Sequence, residues 1–205
     1  MKIFAVGMNY VGYNKALNEP LLKQDDPVIF TKADSSLLKD RKLFFIPDEL
    51  GTIEYEAEIV VRVCRLGKSI SERFASRYYD AVTVGIDFTA RDLLRKLSQQ
   101  GLPWDMSKSF DGAAALGEWV SKDKFLDIQR LRFHLDVNGE TKQEGCTNDM
   151  IYKVDEIISY ISRFFTLKTG DLIYTGCPTS GFPVHINDRL EGYIEERKVL
   201  DLHCK

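Results

Sequence analysis

Several stretches of the chain alternate apolar and polar residues with the two-residue period of a β-strand. In the clearest, Ile53–Val63, apolar residues share one face of the predicted strand and mainly charged residues share the other. Residues 81–88 are apolar and rich in β-branched side chains, which predicts a buried strand. Residues 131–137 lead into Asn138 and Gly139, a pair typical of a β-hairpin turn. Further strands are predicted at residues 171–175, 184–186 and 199–203.

Three short helices are predicted from capping residues and from the helical period. Ser69 and Glu72 have the spacing of a capping box, which predicts a helix that runs to about Tyr79. Thr89 and Asp92 repeat this spacing, and they predict a short helix that ends near Gly101. An amphipathic helix is predicted from large apolar residues that recur on one face, namely Ile157, Ile158, Ile161, Phe164 and Phe165. Strands outnumber helices, so the predicted class is α+β, weighted to β.

The length of 205 residues is that of a single domain with a substantial core. Residues 1–50 are the least regular part, and their turn-forming residues predict an N-terminal region that serves as a lid. The chain has 28 basic and 31 acidic residues, a net charge of -3 and no basic block. This balance argues against nucleic acid or an anionic membrane as the main partner.

The chain shows no sign of export or of membrane insertion. Its first residues do not resemble a signal peptide, and no stretch approaches the ~18 apolar residues of a membrane span. The cysteines lie apart and form no C-x-x-C pair: Cys64, Cys146, Cys177 and Cys204. This pattern favours a reduced, cytoplasmic protein.

The charged face of Ile53–Val63 carries Glu54, Glu56 and Glu58, followed by Val60. By itself this pattern is typical of a solvated acidic face. Val60, however, places Glu58 beside apolar surface, where an unpaired charge is costly. Carboxylates about 6–7 Å apart on one face also repel each other unless a cation lies between them. A site for a divalent cation such as Mg²⁺, which binds hard oxygen ligands, is therefore the alternative.

Asp87 is the candidate third ligand of such a site. It follows the apolar run of residues 82–86 and immediately precedes a predicted helix, so its carboxylate is expected to be partly buried and rigidly held. The alternative is a turn or capping aspartate.

Ordered motifs around these residues resemble those of the fumarylacetoacetate hydrolase family. Glu56 and Glu58 stand in a segment similar to the family's E-x-E-L-x-V-V metal motif. Asp87 begins a segment similar to D-x-[ST]-A-R-D, and residues 101–110 resemble its G-L-P-W and K-S-F segments. Further matches in family order lie at residues 137–139, 143–145, 150–151 and 170–178. The resemblance extends from about Val6 to near the C-terminus.

The resemblance implies the catalytic domain of that family, a mixed β-sandwich or barrel with a few short helices. Residues 51–205 would form its metal-binding core. It also implies a homodimer that uses Mg²⁺ or Mn²⁺ and acts on small 2-oxo or β-diketo acids. Members of the family hydrolyse acylpyruvates, decarboxylate oxaloacetate or isomerise diene diacids through a metal-stabilised enolate.

The resemblance assigns roles to individual residues of this chain. Glu56, Glu58 and Asp87 correspond to the metal ligands, and Lys108 corresponds to a lysine that stabilises negative charge on the substrate oxygen. Three residues are candidates for substrate binding: Arg91, Thr175 and Gly176. The alternative for Arg91 is a structural role or a charge on the helix surface, and the alternative for Lys108 is a solvated surface side chain.

The chain departs from the family at positions that face the reaction. Family hydrolases carry R-N-Y-x-x-H-x-x-E near the N-terminus, and the His and Glu of this segment activate water. Met8, Tyr13 and Ala16 occupy the positions of Arg, His and Glu. A phenol has a pKa near ~10, so Tyr13 is a poor general base at neutral pH, yet it is the remaining candidate there. Leu94 replaces a common Gln, and Cys177 replaces the second Thr of T-G-T-P.

Three hypotheses follow from a retained metal site that lacks the water-activating pair. The first is an enzyme that catalyses enolisation, such as a tautomerase, decarboxylase or isomerase. The second is a C–C bond hydrolase in which Tyr13 or a metal-bound water replaces the missing pair. The third is a catalytically silent homologue that binds metal and ligand.

Overall fold

The computed structural model of the protein describes residues 1–12, 26–38 and 43–205. Strands account for 40 % of the residues and helices for 24 %, which confirms the α+β class weighted to β. The strands with bounds inside these ranges are β1 Ile3–Gly7, β2 Val28–Lys32, β3 Ile53–Val63, β4 Tyr79–Ala90, β5 Ala114–Leu116, β6 Val120–Ser121, β7 Arg132–Val137, β8 Glu140–Cys146, β9 Leu172–Tyr174, β10 Phe182–Pro183, β11 Arg189–Ile194 and β12 Arg197–His203. The α-helices with bounds inside the same ranges are α1 Glu72–Ala75, α2 Arg91–Gln99, α3 Asp105–Lys108 and α4 Val154–Phe164.

The larger sheet has eight strands in the order β2-β1-β9-β3-β4-β5, with β10 paired to β3 and β6 paired to β4. Its pairings are antiparallel except for that of β1 with β9. β3 and β4 are the longest strands, at 11 and 12 residues, and they pair along their whole length. Both are buried almost throughout, and burial of both faces fixes their register.

The smaller sheet has the strand order β12-β11-β7-β8. Val84 of β4, Leu135 of β7 and Leu190 of β11 belong to one buried apolar cluster, so the two sheets pack face to face. The hairpin of β7 and β8 confirms the turn expected at Asn138 and Gly139, whose φ angles are 54° and 82°. Both values lie in the left-handed region that Asn and Gly tolerate best.

Helix α4 confirms the amphipathic helix predicted near residue 157. Ile157, Ile158 and Ile161 are buried in the core that both sheets share. Phe164 and Phe165, which the pattern placed on the same face, are instead 61 % and 40 % exposed. Phe164 is the last residue of the helix, and the helical period does not extend to Phe165, whose backbone is extended and whose ring centroid lies 5.1 Å from that of buried Phe4.

Two helix starts differ from the sequence prediction. Helix α1 covers only Glu72–Ala75, and its N-cap residue is Ser71 rather than Ser69. Helix α2 begins at Arg91 with Ala90 as its N-cap residue, so the predicted cap at Thr89 is wrong. The Thr89 hydroxyl is engaged elsewhere, because it hydrogen-bonds the side chains of the candidate site described below.

The N-terminal region contains more regular structure than its turn residues suggested. β1 is buried and lies inside the larger sheet beside β9, and β2 forms the edge of that sheet. The lid stays a prediction, because residues 13–25 and 39–42 lie outside the described ranges. Residues 184–186 do not form the predicted strand, and the pairing with β3 is made by Phe182–Pro183. None of the helices in the described ranges has the length and apolar composition needed to cross a membrane.

Candidate metal and substrate site

The carboxylates of the candidate site stand on the paired strands β3 and β4. The register places Glu56 opposite Asp87, Glu58 opposite Gly85 and Glu54 opposite Thr89. Directly paired residues of antiparallel strands project to the same face of a sheet. The strand register alone therefore gathers the acidic residues on one face.

This face is closed to solvent at its acidic positions. Glu56 is 4 % exposed, Glu58 is 3 % exposed and Asp87 is 1 % exposed. A buried carboxylate is strongly destabilising unless it is paired or hydrogen-bonded. The solvated acidic face that the sequence left open is thus excluded for Glu56 and Glu58, and Asp87 lies within β4, paired with Glu56, rather than in a turn or a helix cap.

Lys108, the last residue of helix α3, supplies one of the compensating charges. Its ammonium donates to Glu56 Oε2 at 2.8 Å, Asp87 Oδ2 at 2.9 Å and Thr89 Oγ1 at 2.6 Å. Burial alone would lower the pKa of Lys108, but attraction by Asp87 and Glu56 outweighs it and raises the pKa. Lys108 is therefore a permanent cation at neutral pH rather than a base.

Arg91, the first residue of helix α2, binds the same row of acids from its other end. Its Nε lies 2.6 Å from Glu54 Oε2, and its Nη2 lies 2.8 Å from Glu56 Oε1. Burial would raise the pKa of Glu56, but the charges of Lys108 and Arg91 lower it to about 2. Glu56 is thus held as a carboxylate between two cations.

Glu58 has a different environment. Its Oε2 accepts a hydrogen bond of 2.7 Å from the backbone N–H of Gly176. Burial raises its pKa well above the ordinary value, and the charges of Asp87 and Glu56 raise it further. Gly176 has φ 102°, and a Cβ there would lie 2.8 Å from the Cβ of Asn9. Only glycine can therefore present this N–H to Glu58.

Lys32 is a site residue that the sequence prediction missed. It ends β2, its side chain is fully buried, and its Nζ lies 2.6 Å from Asp87 Oδ1. Its ammonium also donates to the carbonyl oxygens of Lys108 and Ala113. The one sequence signal is a lysine at the end of the apolar run that begins at Val28, which alone suggests an ordinary strand end.

A cavity of about 680 Å³ opens over the acids. Its polar lining comes from residues already described, together with Arg95, Ser98 and Ser180. Apolar lining includes Phe30, Leu94, Trp104 and Cys177. Burial raises the pKa of the Cys177 thiol, so it is a neutral wall residue rather than an activated nucleophile. The size and the mixed lining suit a small organic acid.

One wall of the cavity is a loop that Gln143 holds in place from the smaller sheet. Gln143 is 1 % exposed, and its Oε1 accepts a hydrogen bond from the backbone N–H of Ala57. Its Nε2 donates to Cys177 Sγ at 3.5 Å, Thr179 Oγ1 at 3.2 Å and the Ser180 carbonyl at 3.2 Å. Gln143 therefore ties this loop to β3, beside Glu56 and Glu58.

The other predicted site residues lie in different places. The hydroxyl of Thr175 donates to the Ile59 carbonyl at 2.7 Å, and Thr175 is fully buried. From the loop after β9, the described residues that line the cavity are Cys177, Ser180 and Gly181. Thr175 and Gly176 are not among the lining residues. Substrate contacts by these two residues stay a prediction. Tyr13 lies outside the described ranges.

The acids of the site provide hard oxygen donors. Glu54, Glu56, Glu58 and Asp87 line the cavity, as do the cations Arg91, Arg95 and Lys108. Asp87 Oδ1 is buried, and the ammonium of Lys32 lies 2.6 Å from it. Carboxylate oxygens in this number fit a divalent ion such as Mg²⁺ or Mn²⁺, which keeps several waters as ligands.

The acids are not gathered around one point as they stand. Over residues 1–12, 26–38 and 43–205, no three His, Cys, Asp or Glu side chains converge closely enough to hold an ion. The ammonium of Lys108 lies between Glu56 and Asp87. A bound ion would therefore require small side-chain shifts of these acids away from Lys108.

The fold and the site define the class of protein. The sequence profile of the fumarylacetoacetate (FAA) hydrolase C-terminal family matches residues 2–203. This match covers almost the whole chain. The protein therefore belongs to the fumarylacetoacetate hydrolase family, as the motifs predicted.

Similar proteins with an assigned activity act on small oxo acids. The chain is 35 % identical to the mitochondrial oxaloacetate tautomerase FAHD1 of Mus musculus, over 94 % of this chain and 86 % of that protein. It is 33 % identical to the oxaloacetate tautomerase YcgM of Escherichia coli, over 92 % of this chain and 86 % of that protein.

Solved structures of family members have the same fold. Fumarylpyruvate hydrolase from Pseudomonas aeruginosa in complex with Mn²⁺ and pyruvate has a TM-score of 0.92 at 27 % identity, over 100 % of this chain and 89 % of that one. The 2-hydroxyhepta-2,4-diene-1,7-dioate isomerase from Mycobacterium marinum has a TM-score of 0.84 at 29 % identity, over 99 % of this chain and 73 % of that one.

Substitution Gln143→Leu should loosen the loop that forms one wall of the cavity. It removes the two N–H groups that three acceptors of the loop share and leaves the buried N–H of Ala57 unpaired, at a cost of about 1–3 kcal/mol in the free energy of unfolding. Hydrogen exchange measured by mass spectrometry should rise at residues 176–181. Gln129→Leu is the control, because the Oε1 of Gln129 accepts from Val154 N–H instead. Unchanged exchange in that loop would contradict the role given to Gln143.

Proposed function

We propose that the protein is a divalent-metal-dependent enzyme that interconverts the enol and keto forms of a small 2-oxo acid, with oxaloacetate as the first substrate to test. The observation that carries this proposal is the buried ammonium of Lys108, bonded to Glu56 and Asp87 at the base of the acid-lined cavity. The two tautomerases to which the chain is similar support the choice of substrate.

Lys108 is suited to stabilise an oxyanion. Attraction by two carboxylates keeps it charged, so it offers a fixed positive charge without taking up a proton. Its side chain lines the cavity, whereas the backbone of helix α3 lies beneath it. Removal of one such charge from an active site typically lowers kcat by about 10²–10³-fold.

Glu56, Glu58 and Asp87 are the residues that would hold the metal. A divalent ion bound there would polarise the 2-oxo and carboxylate oxygens of the substrate. Arg91 is fixed by Glu54 and Glu56 with its guanidinium at the cavity wall, where it can orient a carboxylate of the substrate.

Enol–keto conversion needs a proton moved between oxygen and carbon but needs no activated hydrolytic water. The chain has Tyr13 and Ala16 in place of the His and Glu that activate water in family hydrolases. We propose Tyr13 as the proton-transfer residue, because a neutral phenol can donate a proton and accept it back.

Hydrolysis of an acylpyruvate is the second candidate function. The observation that favours it is the TM-score of 0.92 to a solved structure of fumarylpyruvate hydrolase, a protein named for the hydrolysis of such an acid. The silent-homologue hypothesis gains no support from the tautomerases and the fumarylpyruvate hydrolase to which the chain is similar, since these are named as enzymes. A cytoplasmic location stays a prediction of the sequence.

The purified protein should accelerate the conversion of enol-oxaloacetate to its keto form in the presence of Mg²⁺ or Mn²⁺. The absorbance of the enol measures the rate, and the same protein treated with a chelator gives the metal-free value. Production of pyruvate from acylpyruvates and isomerisation of diene diacids are followed in parallel. Turnover of an acylpyruvate with a higher kcat/KM would establish hydrolysis instead, and no turnover of any of these acids would reject both proposals.

Two substitutions should separate metal binding from turnover. Glu58→Gln removes a charged oxygen ligand, so Mn²⁺ should bind at least about 10-fold more weakly, as measured by electron paramagnetic resonance of the free ion. Lys108→Met should bind Mn²⁺ at least as tightly as the wild type, because a competing cation is gone, while kcat falls by about 10²–10³-fold. Wild-type Mn²⁺ affinity in Glu58→Gln would show that the metal, if bound, lies elsewhere.

We also propose that the protein is a homodimer, as its family resemblance implies. The large exposed apolar side chains Phe45, Leu66 and Phe164 are candidates for a buried interface. Light scattering coupled to size exclusion should give twice the chain mass of 23.5 kDa. A mass of one chain at micromolar concentration would contradict this proposal.

A further inference from the structure

The fully buried lysine at the end of β2 has no role in the function proposed above. Lys32 has a side-chain exposure of 0 %, and a lysine without solvent is rare unless its charge is matched. Its ammonium has three N–H groups and three acceptors around it: Asp87 Oδ1 and the carbonyl oxygens of Lys108 and Ala113. These three acceptors match the three N–H groups of the ammonium, and two of them belong to the site residues Asp87 and Lys108.

Lys32 and Lys108 approach Asp87 from different sides. Lys108 lies on Oδ2 and lines the cavity. Lys32 lies on Oδ1, and it is absent from the described residues that form the cavity wall. A substrate in the cavity can therefore reach Lys108, while Asp87 and helix α3 separate it from Lys32.

Lys32 also fixes the backbone from which the Lys108 side chain extends. Helix α3 has only four residues, and its carbonyl groups have few partners within so short a helix. A cation at a helix C-terminus satisfies such a carbonyl and is favoured by the helix dipole. The Lys32 ammonium fills this position, because it donates a hydrogen bond to the Lys108 carbonyl oxygen.

We propose that Lys32 is a positioning residue that aligns Lys108 for reaction. One buried ammonium fixes both the main chain of Lys108 and the carboxylate of Asp87 that Lys108 contacts. Lys32 thus acts through these two residues and never touches the substrate. This inference rests on the function proposed for Lys108.

Steady-state kinetics of Lys32→Met should show a fall in kcat of about 10–100-fold with KM changed by less than about threefold, since a displacement near 1 Å can cost about 10² in rate. In a Lys108→Met background, Lys32→Met should cause no further fall in kcat, because the ammonium that Lys32 aligns is absent. Lys2→Met is the matched control, since it removes a 2.6 Å ion pair with buried Asp171 away from the site. It should lower stability but leave kcat unchanged.

A measurement without substrate gives an independent test. Lys32→Met removes a cation beside Asp87, so Mn²⁺ should bind several-fold more tightly than in the wild type. General damage to the fold would weaken Mn²⁺ binding instead. Lys32→Arg keeps the charge, so its Mn²⁺ affinity should match the wild type, whereas its planar guanidinium cannot copy the three-way contact and kcat should still fall.

These results distinguish failure of this inference from failure of the proposed function. An inactive wild type would reject the proposed function, and the Mn²⁺ comparison would still test whether the Lys32 ammonium acts on Asp87. Wild-type kcat in Lys32→Met, or a full further loss in the double variant, would overturn the positioning role. Should Lys32→Met fail to fold, Lys32→Arg decides, because wild-type kcat in that variant would overturn the proposal.

Discussion

The structure depends on one electrostatic constraint, which is that the paired strands β3 and β4 bury three carboxylates on a single face. Glu56, Glu58 and Asp87 are each less than 5 % exposed, so every one of them needs a cation or an N–H donor. The strands cannot turn these residues outward, since both faces of β3 are buried and a one-residue slip would only exchange one buried face for the other. Compensation must therefore come from other parts of the chain.

The compensating groups come from four separate segments. Lys32 ends β2, Arg91 begins α2, Lys108 ends α3, and Gly176 lies in the loop after β9. Each segment is held against β3 and β4 by the group that it contributes, so loss of any one leaves a buried charge uncompensated. The same interactions that complete the fold therefore assemble the site. A substitution in one of these groups is expected to change both the stability of the protein and the chemistry of the site.

The sequence predicted the parts of this arrangement that depend on neighbouring residues, but not those that depend on residues far apart in the chain. The period of β3 and the Asn138–Gly139 turn are local signals, and both predictions were confirmed. Thr89 was expected to cap a helix because its spacing to Asp92 is local too, but a distant partner, Lys108, takes its hydroxyl. Lys32 gave no usable signal, because its three partners are between 55 and 81 residues away in the chain.

The charge on Lys108 limits the reactions that this site can perform. Two carboxylates contact its ammonium and raise its pKa, which suits Lys108 to stabilise negative charge on oxygen rather than to abstract a proton from carbon. Glu56, with a pKa lowered to about 2, is a weak base for the same reason. The proton must therefore move through a group outside the Lys108–Glu56–Asp87 cluster. Such a site favours a reaction in which oxyanion stabilisation is the main requirement, as it is in enolisation.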